Sequence, residues 1–144
     1  MSDLEALAAE LRIGVSLLYR RLKARQIDGV DGMPSIPELA ALVRLDRGGP
    51  ATNADLAKAE QISPQSMSAT LAGLERRGLI ERASDPRDGR RVLLSVTAEG
   101  RATIEAKRAV RTQQIAAALG HLAEEEIAAL RAAVPALERL AENL

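Results

Sequence analysis

The sequence predicts a mainly α-helical fold carrying one small β-hairpin, on three observations. Leu, Ile, Val and Ala recur at helical spacing along most of the chain, between cap residues at one end and glycine or proline stops at the other. A single stretch, Leu79 to Val96, departs from that period with two short β-rich runs around a turn. Aromatic residues are 1% of the chain, with no Phe or Trp and one Tyr, so the core has to be aliphatic, which suits slender packed helices better than a thick sandwich. The 144 residues amount to one domain by size, and 47% hydrophobic with 28% charged content is ordinary for a soluble globular protein. Helices of this composition leave long apolar stripes on a monomer, and an oligomer is the natural way to cover them.

Ser2 and Glu5 form a capping box, after which Leu4, Leu7, Leu11, Val15, Leu18 and Leu22 hold helical spacing. Arg20, Arg21, Lys23 and Arg25 cluster at the end of this first helix, where cations suit the negative pole of the helix dipole. Facing phosphates, or lining a ligand cleft with Tyr19, are their other roles; packing is the simpler role for Tyr19. Asp28 to Pro37 reads as a loop, and Ser35 with Glu38 opens a second helix that buries Leu39, Leu42 and Val43 and stops at Gly48-Gly49-Pro50. Thr52 with Asp55 caps a short third helix with Leu56 and Ala57 inward, and Gln61-Ile62 makes a turn.

Ser63 is an N-cap, Pro64 takes the first helical position where its missing N–H is harmless, and Gly78 supplies the left-handed stop. Met67, Leu71 and Leu74 form the apolar stripe of this helix. Opposite it lie Gln65, Ala69, Ala72, Gly73 and Arg76, flanked by Ser66, Ser68, Thr70 and Arg77. A small polar face lets a helix sit deep in a DNA major groove, with Gln and Ser at base edges and Ser, Thr and Arg on phosphate. An ordinary surface helix presents a similar face.

The next segment separates these readings. Leu79 to Ala83 and Val92 to Val96 are short β-rich runs joined by SDPRDGRR, whose Asp-Pro and Asp-Gly pairs signal turns. A hairpin tip bearing Arg87, Arg90 and Arg91 directly after such a helix is a winged helix-turn-helix pattern, the wing placing an arginine in the adjacent minor groove. Thr97 then caps a long helix with Ile104, Val110, Ile115 and Leu119, closed by Gly120. The last helix opens with Glu124, Glu125 and Glu126 and presents Ile127, Leu130, Val134, Leu137 and Leu140. Pro135 lies inside it, so a kink or break near Arg131 to Val134 is expected. His121, just after Gly120, reads as a surface or capping residue.

Twenty basic and twenty acidic residues cancel, but their distribution is uneven. Seven arginines against four acids lie between Arg76 and Arg101, and five glutamates against two arginines from Gly120 onward, which makes the positive field local to the wing. With no cysteine and one histidine there is no disulfide framework, thiol switch or His/Cys metal cluster, and no cofactor is expected. No signal peptide or apolar run of membrane-spanning length is present, which points to the cytoplasm. Nucleophile-elbow, phosphate-loop, dinucleotide and paired-His motifs are all missing, so no enzyme is expected.

SATLAGLERRGLIER followed by SDPRDGRRVLLSVTAEGR resembles the MarR family of bacterial transcription regulators, over nearly the whole chain and most strongly between Thr52 and Arg101. The resemblance implies that Arg90 of the D-x-R-D-x-R wing enters the minor groove, oriented by a salt bridge from Asp88, with Arg87 as second choice. It implies that residues 1–34 and 98–144 supply dimerisation helices around a winged helix-turn-helix lobe at 35–97. Ala123 stands where the family often has a capping Ser or Thr. A small anionic or phenolic effector is implied between the dimer arm and the lobe. The expected function is that of a homodimeric, ligand-responsive repressor on a pseudo-palindromic operator. Gln65, Ser66, Ser68 and Ala69 are expected at base edges, Thr70, Arg76 and Arg77 on phosphate, and Arg90 in the minor groove. The competing reading is a winged-helix dimeric scaffold without DNA binding, against which stands the pairing of an Arg-rich wing with a small polar helix face.

Overall fold

Six helices and one hairpin make up the computed structural model, which describes residues 1–25 and 33–144. In chain order they are α1 (Asp3–Ala24), α2 (Ile36–Gly48), α3 (Asn53–Glu60), α4 (Pro64–Arg76), β1 (Ile80–Ser84), β2 (Val92–Val96), α5 (Ala98–Leu119) and α6 (Glu124–Glu142). The Asp28–Gly32 part of the expected loop lies outside the described residues. Two compact units divide the rest, Met1–Ala106 and Lys107–Leu144.

Local chemistry sets the helix ends of the first unit. The hydroxyls of Ser2, Ser35, Thr52 and Ser63 each accept the backbone N–H three residues on, so every helix from α1 to α4 starts at a side-chain cap. Gln61 closes α3 in the left-handed region at φ 56°, and Ile62 N donates back to the Ala57 carbonyl at 3.0 Å. At the end of α4, Gly78 takes φ 70°, its N–H donates to Glu75 O, and Leu79 N–H donates to Leu74 O, each at 3.0 Å. This pair of bonds is a Schellman stop, and its flanking Leu74 and Leu79 are both buried.

The core of the first unit is aliphatic apart from one methionine. Leu42, Leu56, Met67, Leu71, Leu74, Leu94 and Ile104 are its largest fully buried side chains, joined by Ala41, Leu45, Ala57, Leu79, Ile80 and Val96. The α4 stripe and the inward Leu56 and Ala57 are as the sequence predicts. In α2 the fully buried residues are Ala41, Leu42 and Leu45, whereas Leu39 and Val43 are half-buried. Truncating a fully buried leucine here to Ala removes about 2–5 kcal/mol.

β1 and β2 pair antiparallel, from Ile80 opposite Val96 to Ser84 opposite Val92. Ala51 adds a bridge on the far side of β2, donating to Leu94 O at 3.1 Å and accepting from Leu94 N at 2.8 Å. This link, which joins the start of the helix-turn-helix to the wing, has no signature in the local sequence. Thr97 clasps the base of the hairpin. Its hydroxyl donates to Gly78 O at 2.7 Å and accepts from Gly100 N at 3.1 Å, and its N–H donates to Leu79 O at 3.1 Å.

One outer-face assignment on α4 is corrected. Gly73 is buried, and a Cβ there would stand 3.1 Å from Glu38 Oε1. The core-facing side of α4 is thus broader than its apolar stripe, because the Glu38 carboxylate of α2 packs closely along the Gly73 flank.

In the second unit, α6 runs unbroken through Pro135, so the expected break is absent. Proline's own φ is helical and it removes one N–H bond, which the surrounding alanines and leucines, strong helix formers, outlast. Ala123 offers no side-chain cap; instead its N–H donates to Glu126 Oε2 at 2.9 Å. Neither α1, in the first unit, nor α6 contains a buried residue.

Gly100 supplies a test of the clasp. A Cβ at this position would overlap the Leu79 carbonyl oxygen and lie 2.8 Å from Val96 Cγ1. Gly100→Ala should lower the unfolding free energy by about 1–3 kcal/mol in urea titration, despite alanine's better helix propensity.

Candidate nucleic-acid interface

The turn between α3 and α4 brings a short helix and a longer one together, and the hairpin follows directly. Rotation of α4 about its axis is set by Met67, Leu71 and Leu74, and it leaves Gln65, Ser66, Ser68, Ala69 and Arg76 exposed and Thr70 half-buried. These side chains are short apart from Gln65 and Arg76, so the α4 backbone can approach a groove floor closely.

The flanks of this face are tied inward. On one side, the Thr70 hydroxyl donates to the Ser66 carbonyl at 3.1 Å, and Arg77 Nη1 lies 3.2 Å from Glu38 Oε2 of α2. Arg77 therefore braces α4 against α2, with its charge already opposed. On the other side, Asn53 Nδ2 donates to Ser68 Oγ at 2.6 Å and links the start of α3 to α4. Ser66 N–H is capped by Ser63 Oγ at 3.1 Å, and Ser63 Oγ also donates to Ser66 Oγ at 3.0 Å. The outermost strip is then Gln65, Ser66, Ala69 and Arg76.

The wing loop is shaped by its own aspartates. Asp85 Oδ1 accepts from Arg87 N at 2.9 Å, and Asp88 Oδ1 accepts from Arg90 N at 3.1 Å, two Asx turns that fold the tip tightly. Asp85 N donates to Arg91 O at 2.9 Å and Arg91 N to Asp88 O at 3.0 Å, which closes the loop. Arg90 points outward with its side chain 97% exposed and its Nε 3.9 Å from Asp88 Oδ1. Arg87 is exposed as well. Arg91 is held differently, its Nη2 3.5 Å from Asp55 Oδ2 of α3 and its Nε 4.0 Å from Asp85 Oδ2. At the wing root, Arg82 Nε pairs with Glu75 Oε2 at 2.7 Å.

The ten expected DNA-facing residues thus fall into two groups. All but the half-buried Thr70 are exposed, and three of the ten, Ser68, Thr70 and Arg77, also bond to α3, the α4 backbone and α2, whereas Gln65, Ser66, Ala69, Arg76, Arg87, Asp88 and Arg90 make no bond to another helix. Sequence reasoning placed Glu38 and Asp55 in helix caps only and did not identify the Asn53–Ser68, Glu38–Arg77 or Asp55–Arg91 pairs. Each joins residues at least 15 positions apart, beyond the reach of any helical or turn period.

Among the described residues no group of three or more His, Cys, Asp or Glu side chains could hold a metal ion, and no helix is long and apolar enough to cross a membrane. The MarR family model matches residues 35–92. An uncharacterised HTH-type transcriptional regulator of Mycobacterium bovis is 34% identical over 144 residues, 99% of each chain. The HTH-type transcriptional repressor MdtR of Bacillus subtilis is 24% identical over 128 residues, 88% of this chain and 83% of its own. Among solved structures, a transcriptional regulator protein of Pseudomonas aeruginosa superposes with a TM-score of 0.75 at 38% identity, covering 98% of both chains.

The cap of α3 carries a pH signature. Hydrogen bonds from the Thr52 hydroxyl and backbone, and more weakly the charges of Arg91 and Lys58, hold the Asp55 carboxyl below its usual range. A carboxylate whose folded pKa is depressed contributes stability that is present above its unfolded pKa and lost as pH falls through the folded value. NMR titration should find Asp55 ionising below an ordinary aspartate, and Thr52→Val should move its midpoint upward.

Proposed function

The chain belongs to the MarR family, and from that membership we propose that it is a sequence-specific transcriptional repressor, binding a pseudo-palindromic operator as a homodimer. The carrying observation is the pairing, within one helix-turn-helix unit, of the exposed Gln65–Ser66–Ala69–Arg76 strip with a wing whose Arg90 is 97% exposed. In this reading α4 lies in the major groove. Gln65 makes paired hydrogen bonds to a base edge, Ser66 and Ser68 contact neighbouring bases, and Ala69 allows close approach. Arg76, with Thr70 at its flank, contacts phosphate, while Arg77 acts chiefly through Glu38. Arg90, positioned by Asp88, enters the minor groove, and Arg87 contacts the backbone beside it.

The homodimer is supported by uncovered apolar surface. On α1, Leu4, Leu7, Val15, Leu18 and Tyr19 are exposed, as are Leu130, Val134, Leu137 and Leu140 on α6. A second copy covering these helices, with residues 1–34 and 98–144 as the dimerisation region and 35–97 as the DNA-binding lobe, removes this surface from water. Two-fold symmetry then requires half-sites about 10 bp, or a multiple, apart. The repressor role is supported by the similarity to MdtR, an HTH-type transcriptional repressor. The protein acts in the cytoplasm and responds to a small anionic or phenolic effector near the dimer arm, where Lys23 Nζ stands 5.8 Å from the Tyr19 ring centroid. Such an effector acts only through unequal affinity for two spacings of the recognition helices.

Binding of duplexes selected from a random-sequence pool, measured against salt, tests the assignment. Arg90→Ala removes one arginine from each half of the dimer, so it should weaken binding to all sequences and make the log–log salt slope shallower by about 1.8. Gln65→Ala should instead relax preference at one base of each half-site, at a cost of about 1–3 kcal/mol. Wild-type protein that shows no salt-dependent binding is a scaffold rather than a repressor. For the dimer, Leu137→Glu should shift the protein from twice its chain mass toward the single-chain mass in sedimentation, while leaving the helix-turn-helix core folded.

A further inference from the structure

We propose that Arg91 is a positioning residue for DNA binding: by bridging Asp55 of α3 and Asp85 of the wing loop, it holds the wing against the helix-turn-helix instead of contacting DNA. The proposal rests on the DNA-binding reading above and goes beyond it by separating the wing arginines by role.

Arg90 and Arg91 are neighbours of identical chemistry in different surroundings. The Arg90 side chain is 97% exposed, with Asp88 Oδ1 3.9 Å from its Nε. The Arg91 side chain is 51% exposed and has carboxylate oxygens at 3.5 and 4.0 Å, on two different elements. Both of these carboxylates are themselves held. Asp55 Oδ2 accepts from Thr52 N in the capping box of α3, and Asp85 Oδ1 accepts from Arg87 N at 2.9 Å. Arg91 is thus a strut between two points whose positions the backbone sets, and a rigid guanidinium fork suits that task better than a single ammonium.

Charge argues in the same direction. One guanidinium shared by two carboxylates leaves the cluster with a net negative charge, which repels phosphate. Location adds to this. The β1–β2 ladder ends at Ser84 and Val92, so residues 85–91 project beyond it. The Arg82–Glu75 pair and the Ala51–Leu94 bridge tie down the ladder, whereas the Arg91–Asp55 pair ties down the projecting tip. Loss of this tie lets the tip, and Arg90 with it, sample orientations that miss the minor groove.

The test uses Asp55→Asn, Arg91→Ala and the double variant in the full chain, with duplexes selected by the wild type from a random-sequence pool. Asparagine keeps an oxygen able to accept from Thr52 N, and circular dichroism melting confirms that each variant is folded at the assay temperature. Each single variant should weaken binding by about two- to fivefold, the scale of an exposed ion pair. The double variant should bind no worse than the weaker single one, since both remove the same strut. The sign for Asp55→Asn is the decisive readout, because deleting a negative charge beside DNA would by charge alone strengthen binding. Equal salt slopes for the two single variants complete the expected result.

Tighter or unchanged binding by Asp55→Asn, or additive losses in the double variant, would overturn the proposal. So would an Arg91→Ala slope shallower than that of Asp55→Asn by about 1.8, which marks a direct phosphate contact in each half of the dimer. In each of these cases the wild type still binds DNA with a steep salt slope. A wild type without such binding overturns the DNA-binding reading itself, and the strut with it.

Discussion

Burial of Met67, Leu71 and Leu74 against α2, α3 and the start of the hairpin sets the rotation of α4, and that rotation decides which side chains reach the surface. A helix has one rotational freedom once its axis is placed, and three fully buried side chains within two turns remove it. The Schellman stop at Gly78 turns the chain sharply into β1, and the Thr97 clasp on Gly78 and Leu79 joins the hairpin's base to the first turn of α5. The end of α4, the wing root and the start of α5 are therefore joined by one small cluster of hydrogen bonds.

Ion pairs then refine what packing sets coarsely. Glu38–Arg77 joins α2 to the end of α4, Glu75–Arg82 joins α4 to β1, and Asp55–Arg91 joins α3 to the wing loop. Each is partly exposed and worth at most about 1 kcal/mol, so none determines the fold. Their effect is on orientation, for which a fraction of a kcal/mol suffices to favour one arrangement of a loop or helix end. They also sort the arginines: those facing Glu38, Glu75 and Asp55 are tied to other elements, while Arg76, Arg87 and Arg90 are exposed and Arg90 faces only Asp88 of its own loop. A protein of zero formal net charge can in this way present a locally positive surface.

The chain's poverty in aromatics has a counterpart in its surface. Leu, Ile, Val, Ala and one Met fill the core of the first unit, while α1 and α6 hold no buried residue yet carry leucines and valines more than 40% exposed. Apolar surface in such amounts is rare on a protein that works alone. In the homodimer proposed above, a second copy covers these helices, and most helical stability comes from packing an amphipathic face rather than from propensity.

What the sequence by itself determined is local. Ser2, Ser35, Thr52 and Ser63 as caps and Gly49 and Gly78 as stops are read from neighbours within four residues, and the structure has them where expected. The same holds for the α4 stripe and for the order of short helix, turn, longer helix and hairpin. Tertiary structure alone decided how the polar residues divide. Gly73 faces inward because Glu38 approaches it from another helix, and Ser68, Arg77 and Arg91 are taken up by Asn53, Glu38 and Asp55. Pro135 stays within a continuous helix although its local rule predicts a kink or a break there. Periodicity reports which way a side chain points along its own element, but its partner depends on how distant segments pack, and that is settled only when the core closes.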